Sequence, residues 1–401
     1  MSSVPEPNSI SPLTLSNRIQ IATTYIFRVP WTVITTLLRR WNPFSTYKPP
    51  PLREHLFRHV MTCLGNNLPI TTTNSSIDTK GTSILTSPRY SHLQSNIYQK
   101  VQTPTFSGYF ICRGLSPSPI APQEADIFLL HCHGGGYVAG HPAWGAVAHL
   151  YVAEQLQKKG LSVAVFSLDY TLAPKGRWPT QLREVEAAFD WVVGELGVQR
   201  ERVVVIGDSA GGHLVLGLLV RLYLRKVEGI ADEDGEGQRE DDRPGAAVLL
   251  SSWVNLHSSH PRVLALHWEE RLFKVGLDKY CEMVMGDASR EVDELYGNFA
   301  VGGEKRGSWK EILPRKTWVS AGEEELVFRY DIEDLVERAK EDGADLQLEV
   351  TEGKNHAWQS AEASGQQSRF LALSMDEDEG DLMQGYKRVA EEIFKMMVWI
   401  E

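Results

Sequence analysis

The chain has 401 residues, 42% of them hydrophobic and 23% charged, a balance that allows a sizeable core in one large α/β domain or two ordinary ones. Its formal net charge of -11 lacks the cationic excess that phosphate backbones demand, so nucleic acid is not an expected partner. Cys63, Cys112, Cys132 and Cys281 lie far apart and show no CxxC spacing, which argues for free thiols in a reducing, intracellular and cytoplasmic setting rather than a disulfide framework or zinc knuckle.

Taken in chain order, residues 1–17 are rich in Ser, Pro and Asn and read as a disordered N-terminus. Residues 18–65 read as a helical cap or a membrane-contacting segment. Within them, residues 19–38 are apolar but interrupted by Gln20, Arg28, Pro30 and several threonines. The polar, acidic start does not resemble a signal peptide, and a membrane span would carry Arg28 near its centre at a cost of about 3 kcal/mol. The near-helical recurrence of Ile26, Val33, Ile34, Leu37 and Leu38, followed by Arg39 and Arg40, instead predicts an amphipathic helix. Packing of that helix as a lid is the first expectation, and peripheral membrane contact is the alternative. Residues 66–90 read as an irregular connection opening a catalytic region over 66–401.

From residue 126 the pattern alternates. Strands are predicted at 127–131, 161–168, 202–206, 246–250, 317–320 and 346–350, with helices at 146–157, 181–196, 210–224, 332–340 and 382–399. Such alternation predicts a parallel sheet covered on both faces in one domain. The acidic runs 231–243 and 376–381 read as solvated loops. Residues 255–312 lack the rhythm and read as a cap insertion.

The strongest chemical signal is Gly207-Asp208-Ser209-Ala210-Gly211-Gly212 between a valine-rich strand and an apolar helix. A serine in a tight strand-to-helix turn projects its hydroxyl from the sheet edge, and small neighbours let helix and strand approach closely enough for the turn. The helix N-terminus adds positive potential beside a developing oxyanion. Some 75 residues earlier, His133-Gly134-Gly135-Gly136-Tyr137 also follows a strand. Consecutive glycines expose backbone N–H donors, so two amides of Gly134, Gly135 and Gly136, with that of Ala210, form an expected oxyanion hole. His131, His133 and His141 lie close in sequence, but no matching carboxylate or cysteine motif accompanies them, so no metal is expected. His133 is expected to order the glycine loop by hydrogen bonding.

HGGG, then Asp169-Tyr170-Thr171-Leu172-Ala173-Pro174, then GDSAGG, resemble the hormone-sensitive lipase-like branch of the α/β-hydrolases over about residues 127–358. The resemblance implies an α/β-hydrolase fold: a mostly parallel central sheet flanked by helices, with a cap built from the N-terminal helices and the internal segment. It gives the DY-x-LAP segment a supporting role beside the site. Thr171 stands where the family often has Arg, and Lys175 where it often has Glu, which puts inherited loop packing in doubt. The order acid, then histidine, after the serine directs attention to Gly322-Glu323-Glu324-Glu325-Leu326, where Glu325 best fits the expected spacing and Glu324 is the fallback. The loop Glu352-Gly353-Lys354-Asn355-His356 then supplies the base.

The expected activity is serine ester hydrolysis by Ser209, His356 and Glu325 through an acyl-enzyme, with no cofactor. Trp144, Trp253, Trp268 and the N-terminal helix are candidate pocket walls, suggesting a short-chain acyl ester of a lipophilic small molecule. An amidase or formamidase, a non-hydrolytic lyase or cyclase, and a silent binding protein remain competing readings. The oligomeric state is left open.

Overall fold

The computed structural model describes residues 14–41, 51–69, 77–228 and 242–398, apart from 267, 287 and 304. Residues 1–13 of the N-terminus expected to be disordered over 1–17, and most of the first acidic run, therefore lie outside the described residues, whereas Leu15–Asn17 are helical. Eight strands form one sheet in the order β1-β2-β4-β3-β5-β6-β7-β8. They are β1 (Ile97–Gln102), β2 (Ser107–Arg113), β3 (Ile127–Cys132), β4 (Val163–Leu168), β5 (Val203–Asp208), β6 (Ala246–Leu250), β7 (Lys316–Gly322) and β8 (Leu346–Thr351). From β4 to β8 every neighbouring pair is parallel, whereas β1–β2 and β2–β4 are antiparallel.

The central strands β3, β4, β5 and β6 are apolar on both faces because helices cover both. The helices are, in order, α1 (Leu15–Thr23), α2 (Val29–Arg40), α3 (Leu52–Asn67), α4 (Ile77–Leu85), α5 (Pro142–Gln157), α6 (Thr180–Asp190), α7 (Ala210–Glu228), α8 (Pro261–Leu264), α9 (Trp268–Met285), α10 (Arg290–Tyr296), α11 (Trp309–Ile312), α12 (Arg329–Glu341), α13 (Trp358–Ala372) and α14 (Gln384–Val398). Two cores result. One packs α6, α7 and α12 beneath one face around Phe166, Val205, Leu214 and Ile332, and the other packs α5, α13 and α14 beneath the opposite face around Leu129, Tyr151, Phe370 and Ile393.

The predicted βα alternation matches the structure, with small shifts at element ends. The predicted helix over 181–196 splits, ending as α6 and continuing through a π-helical turn at Trp191–Glu195. The irregular connection expected over 66–90 contains α4 among its described residues. The antiparallel pair β1 and β2 was not anticipated. IYQKVQ in β1 is largely polar because β1 is an edge strand, so only Ile97 is fully buried. The acidic run at 376–381 is not merely solvated: Glu379 accepts hydrogen bonds from Lys158 (2.8 Å) and Gln155 (2.8 Å), pinning the approach to α14 onto α5. All four cysteines are unpaired.

One buried ion pair ties the N-terminal part of the sheet domain to α5 and α13. Arg89 donates from Nε to Glu154 Oε1 (2.8 Å) and from Nη1 to the carbonyl of Ser374 (2.7 Å), and its guanidinium lies 4.1 Å from the Phe370 ring centre. Tyr90 donates its hydroxyl to the same Glu154 carboxylate. Arg89 is wholly buried and Glu154 nearly so. Removing the cation alone strands a charge in the core, so Arg89→Met is expected to lower the unfolding free energy by about 3–5 kcal/mol. Arg89→Met with Glu154→Leu should recover most of that loss; urea denaturation followed by circular dichroism measures both.

Candidate active site

The residues expected to carry chemistry converge at the carboxyl ends of the parallel strands, where an open α/β sheet presents its ligand crevice. The glycine loop follows β3, Ser209 follows β5, Glu325 follows β7 and His356 follows β8. Ser209 adopts φ 53°, the left-handed region that a non-glycine residue enters only when its surroundings hold it there. Its amide donates to the carbonyl of Leu250 (2.9 Å), and its own carbonyl accepts from Trp253 N–H (2.9 Å). The turn is tight enough to require glycine. A Cβ on Gly211 would lie 1.9 Å from the carbonyl oxygen of Cys132, and one on Gly207 would lie 2.3 Å from that of Gly211.

His356 Nε2 lies 2.9 Å from Ser209 Oγ, and His356 Nδ1 lies 2.9 Å from Glu325 Oε2. A carboxylate accepts, so Nδ1 carries the proton in the neutral ring and Nε2 is left to accept from the serine hydroxyl. Glu325 is 3% exposed. Its Oε1 accepts from Ser251 Oγ (3.1 Å) and from the amide of Gly322. Ser251 in turn accepts from the amide of Ala357 (3.0 Å), so one hydroxyl joins the acid to the histidine loop. Phe328 stacks on the imidazole at 4.0 Å between ring centres, with 16° between planes. Glu324 points elsewhere, pairing with Arg58 of α3 at 3.0 Å.

The glycine loop is tethered to the serine turn by Asp208. Gly134 N–H donates to Asp208 Oδ1 (3.2 Å), so of the three glycines only Gly135 and Gly136 have amides with no protein acceptor among the described hydrogen bonds. Ala210 opens α7 and its amide, too, has no intrahelical acceptor. A Cβ on Gly136 would lie 2.8 Å from the ring of Tyr280 in α9, so that aromatic side chain presses directly on the loop.

The three neighbouring histidines serve hydrogen bonding. His131 Nδ1 meets Ser167 Oγ at 2.8 Å, His133 Nδ1 meets the carbonyl of Gly134 at 2.8 Å, and His141 Nδ1 accepts from Ala143 N–H at 3.0 Å to cap α5. His133 also stacks on Tyr170, whose hydroxyl donates to the His133 carbonyl at 2.8 Å, which gives the DY-x-LAP segment a structural part beside the loop. Burial lowers His131 and His141 to about 3 and His133 to about 4, keeping all three neutral. No group of three or more His, Cys, Asp or Glu that could hold a metal occurs among the described residues.

Asp208, Ser251, Phe328 and Tyr280 were not singled out from the sequence as contributors to the site. Asp208 lay in view inside GDSAGG, whereas the other three come from separate strands and helices and carry no local motif. Of the expected pocket tryptophans, Trp253 is buried in the core, Trp144 is half-buried, and the side chain of Trp268 lies outside the described residues. His257 meets Asp293 at 2.7 Å and His260 stacks on Tyr330.

Thr171 has a measurable consequence. Glu184 of α6 accepts from the amide of Thr171 (2.7 Å) and from its hydroxyl, and no cation pairs with it among the described residues. Burial pushes its carboxyl up to about 7 from an ordinary 4.5, the Thr171 bonds opposing the shift only in part. The fold then binds more protons than the unfolded chain between those values. This contribution to stability is complete below about pH 4.5, falls as pH rises toward 7 and is flat above. Glu184→Gln should remove that fall, so the stability difference between parent and variant narrows at pH 5 and widens in the variant's favour at pH 8. Urea unfolding at several pH values reads it out.

Comparison with known proteins identifies the family. Residues 129–360 match the family described as alpha/beta hydrolase fold, more than half of the chain. The hormone-sensitive lipase of Mus musculus is 36% identical over 110 residues, 27% of this chain and 14% of that protein. Ethyl acetate hydrolase of Pseudomonas putida is 36% identical over 96 residues, 23% of this chain and 29% of that protein. Steryl acetyl hydrolase 1 of Saccharomyces cerevisiae is 26% identical over 174 residues, 42% of this chain and 36% of that protein. The matches thus span well under two thirds of these relatives' lengths. A hormone-sensitive lipase from a metagenome library superposes with a TM-score of 0.59 at 19% identity, over 87% of this chain and 100% of that one, a likeness of fold. With the glycine loop, the serine turn and the eight-stranded sheet in place, the chain belongs to the α/β-hydrolase family, in its hormone-sensitive lipase-like branch.

Proposed function

We propose that the chain hydrolyses carboxylic esters through an acyl-enzyme on Ser209. The observation that carries this reading is the unbroken hydrogen-bonded path from Ser209 Oγ to His356 Nε2 and from His356 Nδ1 to Glu325 Oε2, both steps 2.9 Å. His356 takes the serine proton as Oγ attacks the substrate carbonyl, and buried Glu325 stabilises the imidazolium that forms. The amides of Gly135, Gly136 and Ala210 receive the oxyanion. The imidazolium then protonates the departing alkoxide, and a water deprotonated by His356 attacks the acyl-enzyme and releases the acid.

Two of the relatives are named for acetyl esters, one of ethanol and one of a sterol. That supports a short acyl group, and Tyr280 against Gly136, with Phe328 on His356, supplies apolar walls near the reacting centre. We assign the alcohol side to a lipophilic small molecule, under a cap made of the N-terminal helices and residues 255–312.

Esters of p-nitrophenol across acyl lengths test the reading. Ser209→Ala should lose at least about 10⁴-fold in kcat and resist labelling by an organophosphate. Glu325→Gln should lose about 10³- to 10⁴-fold, because the amide no longer enforces the imidazole tautomer. Glu324→Gln breaks only a partly exposed pair with Arg58 and should stay within about threefold of the parent. A Glu324 variant as impaired as the Glu325 one would overturn the assignment of the acid.

A further inference from the structure

The N-terminal helix reverses the usual arrangement of a soluble protein. From Leu15 to Arg40 it runs for 26 residues, and only 11% of its most apolar stretch is buried. The side turned toward the protein is mixed, with half-buried Ile21, Val29, Val33 and Leu37 beside polar groups that find partners there. Thr24 and Thr36 are completely buried there, Thr36 Oγ1 lying 2.8 Å from His59 Nδ1 of α3 and Thr24 Oγ1 donating to the carbonyl of Asn67 at 3.2 Å. Gln20 donates to the same carbonyl at 2.9 Å, and Arg28 donates to the Asn67 side chain. The side turned outward carries Leu15, Ile19, Ile26, Phe27, Trp31, Ile34 and Leu38, between 48% and 75% exposed.

A π-helical turn at Thr24–Arg28 makes this division possible. Val29 N–H reaches back to the carbonyl of Thr24, and Pro30 beyond it has no N–H to offer the carbonyl of Ile26. The wider turn absorbs about one extra residue, or about 100° of rotation. With that correction the apolar residues other than Phe27 fall in a stripe about 70° wide, opposite Thr24 and Thr36. Without it, Trp31, Ile34 and Leu38 would rotate toward the threonine side. A soluble surface gains nothing from aligning its exposed apolar residues so.

Charge also sets this part of the chain apart. Residues 1–70 carry seven basic and two acidic side chains in a chain whose net charge is -11, and between Leu15 and Arg40 there are four arginines and no acid. We infer that the outward stripe docks on an anionic lipid surface, with the helix lying in the plane of the headgroup–acyl boundary rather than crossing it. The in-plane orientation follows from α3, which packs along α2 through the Thr36–His59 contact and bears Arg58, itself paired with Glu324 of the sheet domain. A helix so clasped along one side cannot be surrounded by hydrocarbon. Tyr280, which presses on Gly136, also donates to the carbonyl of Gly65 at 3.0 Å, so the docking hairpin stands on the rim of the candidate site. Lipid docking does not depend on the hydrolytic reading.

Flotation of the full chain with vesicles of phosphatidylcholine, with and without phosphatidylserine, tests the proposal. The parent should float with the vesicles, more strongly with phosphatidylserine and less so in high salt. Trp31→Glu with Ile34→Glu should reduce partition at least about tenfold while the circular dichroism spectrum and melting temperature match those of the parent. The docking is overturned if the parent stays in the load fraction with both vesicles, or if the double variant floats as the parent does. It is overturned equally if light scattering shows that the stripe joins two copies, the variant converting a non-floating dimer to a monomer. Retention of the parent in membranes after alkaline carbonate, as for a spanning helix, would overturn the in-plane orientation.

Discussion

The close approach of α7 to the ends of β3 and β5 is the constraint from which the site is built. Ser209 is held at φ 53° because its amide is engaged by the last residue of β6 and its carbonyl by the segment that follows, and because Gly207 and Gly211 leave no side chain between helix and strand. From that fixed point the other elements are placed. Asp208 reaches across to the amide of Gly134, so the turn that presents the serine also sets the loop that presents the amides. The amides of Gly135 and Gly136 are left without a protein acceptor among the described hydrogen bonds.

The proposed acid and base are located by a second device with no local signature. Ser251, directly after β6, accepts from the amide of Ala357 and donates to Glu325, joining three loops through one hydroxyl. Gly322 adds its amide to the same carboxylate, and Phe328 covers the imidazole face. Four consecutive parallel strands thus deliver their loops to one edge, and short polar contacts between the loops decide which of three adjacent glutamates meets the histidine. Glu323 receives an amide from Gly353, Glu324 an arginine and Glu325 the imidazole.

Among the described residues, the N-terminal hairpin meets this edge through Arg58 with Glu324 and Gly65 with Tyr280. Its buried threonines on one side and exposed apolar stripe on the other are what the proposed lipid docking rests on. The sheet domain, by contrast, has conventional cores above and below the strands, and its buried Arg89–Glu154 pair is enclosed by protein on every side. On the proposed docking, burial in this chain is organised by two different environments.

Much of the architecture was legible in the sequence because its causes are local. Valine-rich runs such as that of β5 declare buried strands, and glycines flanking Ser209 declare a tight turn, since both depend only on side-chain size and backbone freedom. The edge strand β1 escaped notice because an edge needs few apolar residues, and the π turn at Thr24–Arg28 hid the register of the N-terminal helix from an unbroken 3.6-residue period. The choice of Glu325 over Glu324, the withdrawal of Gly134 from the set of available amides, and the parts taken by Ser251 and Tyr280 rest on contacts between residues dozens to more than two hundred positions apart. Sequence spacing carries the propensities of each segment, but distances between segments arise only when the sheet assembles and brings their ends together.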